Sequence, residues 1–531
     1  MRALGARLGA ELMQTHISHV LLAGATAYKI KKPLNLGFLD FTTLAARRHY
    51  CSEELRLNRR LAASLYLDVV AITGSAQVPV LADAAAPEAI EYAVKMRRFA
   101  QQDLFDSMVA SAALTPAHID ALARVIADFH ACAAPATDAD DYGCAATIET
   151  PMRENFQHIR SLLPETDSSL AQLAAVESWS WQRHALQRPV YAQRRAAGKV
   201  RECHGDLHLG NIAWVDGAAL PFDAIEFNAG LRWIDVISEV AFLYMDLCWH
   251  GRGELAQRFL NAYLERSGDY AGMAVFDTYL VYRAMVRAKI AALRLSPSAT
   301  DAGQAGERAA YTEHLALAQR FAAGRAPLLI LMHGVSGSGK SHLARALAES
   351  GAMLRLRSDV ERKRLAGLSA EARSGSALDA GLYAADMTRR TYAELARQAR
   401  LILAAGWPLV VDATCLQRWQ RDSLRQVARD CAVPCLIIAC TAAADILRQR
   451  VERRLVGGSD ASEADLSVLA QQVAALASNG AGAASGTSDT TPTQGLDADE
   501  VALWVDSGRE DSATAAPRLL RAVPNTACVP E

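Results

Sequence analysis

The chain has 531 residues, 51% hydrophobic and 21% charged, and its 56 Lys and Arg against 58 Asp and Glu leave a formal charge of −2. That balance excludes a wholly disordered chain and a strongly basic nucleic-acid binder, and the length suggests roughly three or four domains, or two large ones. No apolar run reaches the ~18 residues that span a membrane, and residues 1–16 lack the apolar core and cleavage site of a signal peptide. Ten cysteines, scattered and without a C-x-x-C pair, fit reduced thiols better than a disulfide scaffold, so a cytoplasmic location is expected.

Residues 19–22 and 27–30 read as strands around the turn signal AGAT at 23–26. Lys29, Lys31 and Lys32 crowd the end of the second strand, before Pro33. Residues 44–61, rich in Arg, Glu and Leu, read as a helix. Residues 90–96 alternate, with Ile90, Tyr92, Val94 and Met96 on one side, as in a half-buried strand. Beyond 115 most of the sequence reads as helix. Pro116 opens one, with Leu122, Val125, Ile126 and Phe129 on one face. A strand-rich lobe followed by a helix-rich lobe is the order of a kinase-like fold.

The sharpest motif in this half is HGDLHLGN at 204–211. Phosphoryl transfer to a hydroxyl needs a carboxylate beside the acceptor oxygen and oxygen ligands for Mg²⁺. Asp206 and Asn211 have the spacing of the protein-kinase loop H-R-D-L-x-x-x-N, with Gly205 in place of the arginine. Asp223 follows a short strand and an Asp216-Gly217 turn, placed to be the second metal ligand. His204 and His208 alone do not make a metal site, because the glycines disfavour a helix and no third ligand is near.

This stretch resembles the aminoglycoside phosphotransferase-like kinases, whose signature is H-G-D-x-H-x-x-N followed by a hairpin aspartate. The resemblance covers about residues 15–290. It implies that Lys29, Lys31 or Lys32, Lys29 being the first choice, touches the α- and β-phosphates of ATP, with Glu53 or Glu54, Glu53 being the first choice, as the ion-pair partner. It also implies that Asp235 is structural and holds the catalytic loop. One departure is that the glycine-rich phosphate loop is reduced to Gly24.

Residues 296–306 (SPSATDAGQAG) read as a linker, 307–322 as a helix, and 328–332 as an apolar strand. The strand leads into Gly334-Val335-Ser336-Gly337-Ser338-Gly339-Lys340-Ser341, the pattern G-x-x-x-x-G-K-S in its strand–loop–helix context. The glycines let amides turn inward around phosphates, Lys340 reaches the β- and γ-phosphates, and the Ser341 hydroxyl ligates Mg²⁺. Residues 355–359 end a second strand and lead into a basic helix. Residues 409–412 are an apolar run ending in Asp412, as in a Walker-B strand. Residues 436–439 read as another strand, 446–454 as an arginine-rich helix, and 501–505 as a last strand. The stretch 478–495 is too poor in large apolar groups to form a core.

This second half, about 327–510, resembles the small P-loop kinases that include gluconate kinase, chloramphenicol phosphotransferase, the zeta-toxin kinases and polynucleotide 5′-kinase. The resemblance implies that Asp359 is the acceptor base, that Asp412 holds the Mg²⁺ shell, and that Arg450, Arg453 and Arg454 belong to a lid over the phosphates. Asp359 also reads as a helix N-cap, a compatible role.

The expectation is a two-domain protein. Residues 1–325, with a linker at about 296–306, form an α+β protein-kinase-like bilobal fold. Residues 326–531 form an α/β P-loop NTPase with a parallel sheet flanked by helices and a flexible insertion at 478–495. Both domains are expected to transfer the γ-phosphoryl group of ATP, with Mg²⁺, to a hydroxyl of a small-molecule acceptor, with no membrane or nucleic-acid partner. The alternatives are a nucleotide-dependent regulator or scaffold with one degenerate kinase-like domain, or a nucleic-acid 5′-hydroxyl kinase in the second domain. The basic run at 355–364 permits the latter, but no aromatic stacking platform accompanies it.

Overall fold

The computed structural model of the protein describes residues 1–37, 39–295, 301–370, 372, 382, 384–457, 462, 464–479, 496–497 and 500–522. The chain divides into two compact units, Met1–His250 with Thr278–Ala322, and Gly251–Asp277 with Ala323–Glu531. No helix among the described residues is long and apolar enough to cross a membrane.

The first unit begins with a six-stranded antiparallel sheet, in the order Glu11–Gln14, Ser18–Ala23, Thr26–Lys31, Glu91–Arg97, Tyr66–Gly74, Pro79–Asp83. The helix Leu44–Ala62 covers one face, burying Cys51 and Ala62 with Tyr66, Val69, Tyr92 and Val94. The helix Arg2–Leu8 covers part of the other, with Leu4 against Leu21, Ile30 and Ala93. Cover on both faces explains a departure from the alternation expected at 90–96. Ala93 is as buried as Val94, while Ile90 precedes the strand and is 42% exposed.

The helical part of this unit includes Pro116–Cys132, Ala145–Leu162, Leu170–Ala196, Val236–Trp249 and Asp301–Ala322. The helix Met273–Arg294 also contributes to it from Thr278 onward. Of the stretch 296–306 expected as a linker, 296–300 lie outside the described residues and 301–306 already belong to Asp301–Ala322. The hairpin Ile212–Val215 with Ala218–Pro221 turns at Asp216 and Gly217, both with positive φ (52° and 77°), as a two-residue type I′ turn requires.

The second unit is built on a five-stranded parallel sheet, in the order Leu354–Arg357, Leu409–Asp412, Leu329–His333, Cys435–Thr441, Ala502–Asp506. Helices cover both faces of such a sheet, so its central strands read as continuous apolar runs; Leu329–His333 and Leu409–Asp412 are buried at every position. One core cluster joins Ile330, Met332, Val410 and Ile438 to Leu343 and Leu347 of the helix Lys340–Ser350 and Leu519 of Ser512–Ala522. Residues 478 and 479 end the helix Leu466–Asn479, and 480–495 lie outside the described residues.

Candidate functional sites

In the first unit Lys29 and Lys31 lie two residues apart on one strand, so their side chains leave the same face. Both reach the same carboxylate. Lys29 Nζ donates to Glu54 Oε1 and Lys31 Nζ to Glu54 Oε2, each at 2.8 Å, and Glu54 is fully buried. Lys29 also pairs with Asp223, and Lys31 with Glu226. The expectation for Glu53 is corrected here. Cys51, Glu54, Leu57 and Asn58 form the buried stripe of Leu44–Ala62 by i, i+3, i+4 spacing, which turns Glu53 outward to Arg56 at 2.9 Å.

Burial would raise the Glu54 carboxyl, but the two ammonium groups pull its pKa down to about 2. Burial would lower Lys29 and Lys31, but the carboxylates around them, Asp223 foremost for Lys29 and Glu226 for Lys31, hold both above the ordinary lysine value. Burial raises Glu226, which Lys31 only partly offsets. Two ammoniums thus face three carboxylates, and Asp223, with a side chain 42% exposed, is the most open of the three. An excess carboxylate at the open end of a buried charge cluster fits a cation such as Mg²⁺.

The loop at 204–211 is held from several sides. His204 Nε2 lies 2.8 Å from the Phe222 carbonyl, so it carries the proton, and Nδ1 accepts the Asp206 amide at 3.2 Å. Burial lowers the pKa of this ring, in keeping with the neutral form. One imidazole therefore fastens Asp206 to the residue before Asp223. Gly205 has φ +91°, and a Cβ there would meet the Leu231 carbonyl oxygen at 2.8 Å. Its amide donates to Glu239 (2.7 Å), its carbonyl accepts from Arg283 (3.2 Å), and the Leu209 amide donates to Asp246 (2.9 Å).

Asn211 Nδ2 donates to the Asp206 carbonyl (3.0 Å) and to its Oδ2 (3.1 Å), so the structure brings this pair together. Burial opposes ionisation of Asp206, yet His208, 3.5 Å away, helps to hold its carboxyl below the usual range, and His208 is raised in return. Asp223 has φ +64°, an unusual conformation for a non-glycine residue, and its amide donates to the Tyr66 hydroxyl at 3.1 Å.

Asp235 accepts two hydrogen bonds from Arg194 (2.6 and 2.7 Å) and caps the helix Val236–Trp249 through Ile237 N. It is structural, but the loop contacts come from Glu239, Asp246 and Arg283. The sequence reading missed these three and Glu226. Two acids seven residues apart in an otherwise apolar helix were the available signal, since a carboxylate buried there needs a specific partner.

In the second unit the loop Gly334, Val335, Ser336, Gly337, Ser338, Gly339 joins the central strand Leu329–His333 to the N-terminus of Lys340–Ser350. Gly334 has φ +137°, and a Cβ would meet the Cys440 carbonyl oxygen at 2.4 Å from the built position, so only glycine fits. Lys340 Nζ folds back on the Val335 carbonyl (2.6 Å), and burial lowers its pKa. Ser341 Oγ donates to Asp412 Oδ1 at 3.0 Å, at the carboxyl end of the neighbouring strand. Asp412 Oδ2 is buried with no hydrogen-bond partner among the described residues, and the nearest cation, Arg357 Nε, is 3.7 Å away. A buried carboxylate oxygen left without a donor beside a serine hydroxyl also fits a divalent cation.

Lys340, Ser341 and Asp412 line a cleft of about 970 Å³, together with Asp359, Arg450, Arg453 and Arg454. Asp359 lies in the first turn of Ser358–Leu365, where Arg357 holds the N-cap position, so Asp359 does not cap that helix. Arg450 donates to the Gly337 carbonyl (3.2 Å) and to Ser507 Oγ (2.7 Å), and Arg454 donates to the Ala464 carbonyl (2.5 Å). Gln472 Oε1 accepts the Ser336 amide at 2.8 Å.

The profile of the phosphotransferase enzyme family matches residues 44–276, and that of an AAA domain matches 329–478. An uncharacterized protein of Mycobacterium tuberculosis H37Rv is 32% identical over 464 residues, 87% of this chain and 90% of that protein. A counterpart in Mycobacterium bovis matches over the same span with the same identity. Among solved structures, a choline kinase from Cryptosporidium parvum aligns with 59% of this chain and 89% of that one, at 10% identity and TM-score 0.38. A gluconokinase from Sinorhizobium meliloti aligns with 37% and 96%, at 21% identity and TM-score 0.23. The chain belongs to the same family as the mycobacterial proteins, and it joins a kinase domain of the phosphotransferase enzyme family to a P-loop kinase domain in one polypeptide.

Proposed function

We propose that the protein is an ATP- and Mg²⁺-dependent phosphotransferase with two kinase-type sites, each directing the γ-phosphoryl group to a hydroxyl of a small molecule. The observation that carries the reading is the pairing of Lys29 with both Glu54 and Asp223, on the hairpin that His204 fastens to Asp206 and Asn211. A phosphotransfer site of this kind needs a lysine for phosphate oxygens, oxygen donors for a metal and a carboxylate for the acceptor proton, and these contacts support that reading. Asn211 and Asp223 are the residues that would hold Mg²⁺ in the first unit, and Ser341 and Asp412 in the second. When bound, the metal neutralises charge on the phosphates. In the first unit Asp206, kept ionised, positions the acceptor hydroxyl and takes its proton. In the second, Lys340 and the loop amides hold phosphates, Asp359 is the acceptor base, and Arg450 and Arg454 belong to the lid.

A metabolite-library screen for an ATP-dependent gain of one phosphate tests this, run on wild type, Asp206→Ala and Lys340→Ala. Each substitution should abolish one of two separable activities; loss of a general base costs about 10²–10⁴ in rate. If Asp206→Ala leaves every product unchanged, the first unit is not a kinase.

A further inference from the structure

A second cavity, of about 300 Å³, lies among helices of the first unit and is lined in part by Trp249, Arg287, Arg294, Glu307 and His314. Two helices that hold the catalytic loop also build it. On Val236–Trp249, Asp246 receives the Leu209 amide, and Trp249 follows three residues on. On Met273–Arg294, Arg283 donates to the Gly205 carbonyl, and Arg287 follows four residues on. Such spacings keep both residues on one helix face, an advance of about 4.5–6 Å. Each helix gives one turn to the loop and the next to the cavity.

The lining has a definite chemistry. Among the described residues Arg287 has no hydrogen-bonded or ion-paired partner, whereas Arg294 meets Glu307 at 3.6 Å. Two guanidiniums against one carboxylate leave the lining net positive. The indole N–H of Trp249 and Nε2 of His314 are buried without a hydrogen-bond partner among the described residues. The two rings stack, with centroids 4.7 Å apart and planes at 19°. His314 Nδ1 lies 2.7 Å from the Ala310 carbonyl, which can only accept, so Nδ1 bears the proton. Burial pushes the pKa of this ring down to about 4, so Nε2 is an acceptor at neutral pH. The cavity therefore offers the Arg287 guanidinium beside a stacked indole and imidazole, at the small end of the ligand-pocket range of ~300–1,000 Å³.

We propose that this cavity is the acceptor pocket of the first unit and takes a small anionic hydroxyl compound, a hydroxy-carboxylate or a phosphate monoester, and not an amine-rich sugar. The anion sits on Arg287. The proposal rests on the kinase reading for its chemistry. The acceptor oxygen bonds the γ-phosphorus of ATP as the bond to the bridging oxygen breaks, the hydroxyl proton passes to Asp206, and ADP leaves.

Isothermal titration of the full chain tests it, with mandelate and glycerol 3-phosphate against 2-amino-1-phenylethanol and ethanolamine. At least one anion should bind about tenfold or more tighter than its amine counterpart, and Arg287→Met should weaken it by about tenfold or more, as for loss of a charged hydrogen bond. Trp249→Phe keeps a ring, drops the N–H and should weaken binding less. Circular dichroism and nucleotide binding by the second unit report folding, and if Arg287→Met does not fold, the wild-type ranking and Trp249→Phe decide. Tighter binding of the amines, no binding of either anion, or anion binding unchanged in Arg287→Met overturns the proposal. Phosphoryl transfer measured alongside separates the two readings. An anion held through Arg287 that gains no phosphate leaves the pocket standing and removes the kinase activity of the first unit. An amine phosphorylated equally well by wild type and Arg287→Met does the reverse.

Discussion

Replacing Glu54 by glutamine puts one neutral amide between Lys29 and Lys31 in a buried site and leaves them only Asp223 and Glu226 as ion-pair partners. Removing one partner from a buried ion cluster costs about 3–5 kcal/mol, because the charges left behind cannot regain water. Glu53→Gln breaks a contact to Arg56, whose side chain is 47% exposed, and should cost under about 1 kcal/mol. Urea melts of the two variants check the contrast, and equal losses would show that Glu54 does not hold the lysines in solution. Gly205→Ala is a second test at this scale. The added methyl meets the backbone oxygen of Leu231, which cannot move aside as a flexible side chain could, and the left-handed φ adds strain of about 1–3 kcal/mol. A lower melting temperature for the first unit with loss of its transfer activity is expected, and an unperturbed variant would contradict the tight approach.

The parallel strands of the second unit bring two chemical groups from distant sequence positions to one sheet end. Ser341 follows the strand Leu329–His333, and Asp412 ends its neighbour. Asp412→Asn keeps an acceptor for Ser341 and loses the charge, so nucleotide turnover by this unit should need about tenfold more Mg²⁺ while thermal stability holds. A magnesium titration of wild type and variant reads this, and identical curves would remove Asp412 from the metal shell. The strand–loop–helix context of 334–341 was legible in the sequence because glycine spacing and an apolar run leave few alternatives. The spacing of Asp206, Asn211 and Asp223 was legible for the same reason, as a local pattern. Glu54 was narrowed to two neighbours and the wrong one was preferred, although Cys51, Leu57 and Asn58 already marked the buried stripe. Glu226, Glu239 and Asp246 were not seen, because their partners lie in other elements and only the tertiary fold pairs them.

Across the molecule, acid should act early on the first unit. Glu54 and Glu202 both have carboxyls drawn down to about 2, against burial, by Lys29 and Lys31 in one case and by Arg56 and Arg232 in the other. A depressed carboxyl stabilises the fold fully above its unfolded value near 4.5, and that contribution is lost as pH falls toward 2. Glu226, raised by burial, works in the opposite sense and eases as it protonates. Melting curves from pH 7 to 3 should show the first unit losing stability below about pH 4.5, and a flat profile would contradict the charge cluster. The double tie on Glu54 has one more outcome. A kinase lobe with one lysine bonded to its helix can be switched off by swinging that helix aside, whereas here two ammoniums must be stripped together. The helix is bolted rather than hinged, so amide hydrogen exchange across residues 51–58 should be equally slow with and without ATP.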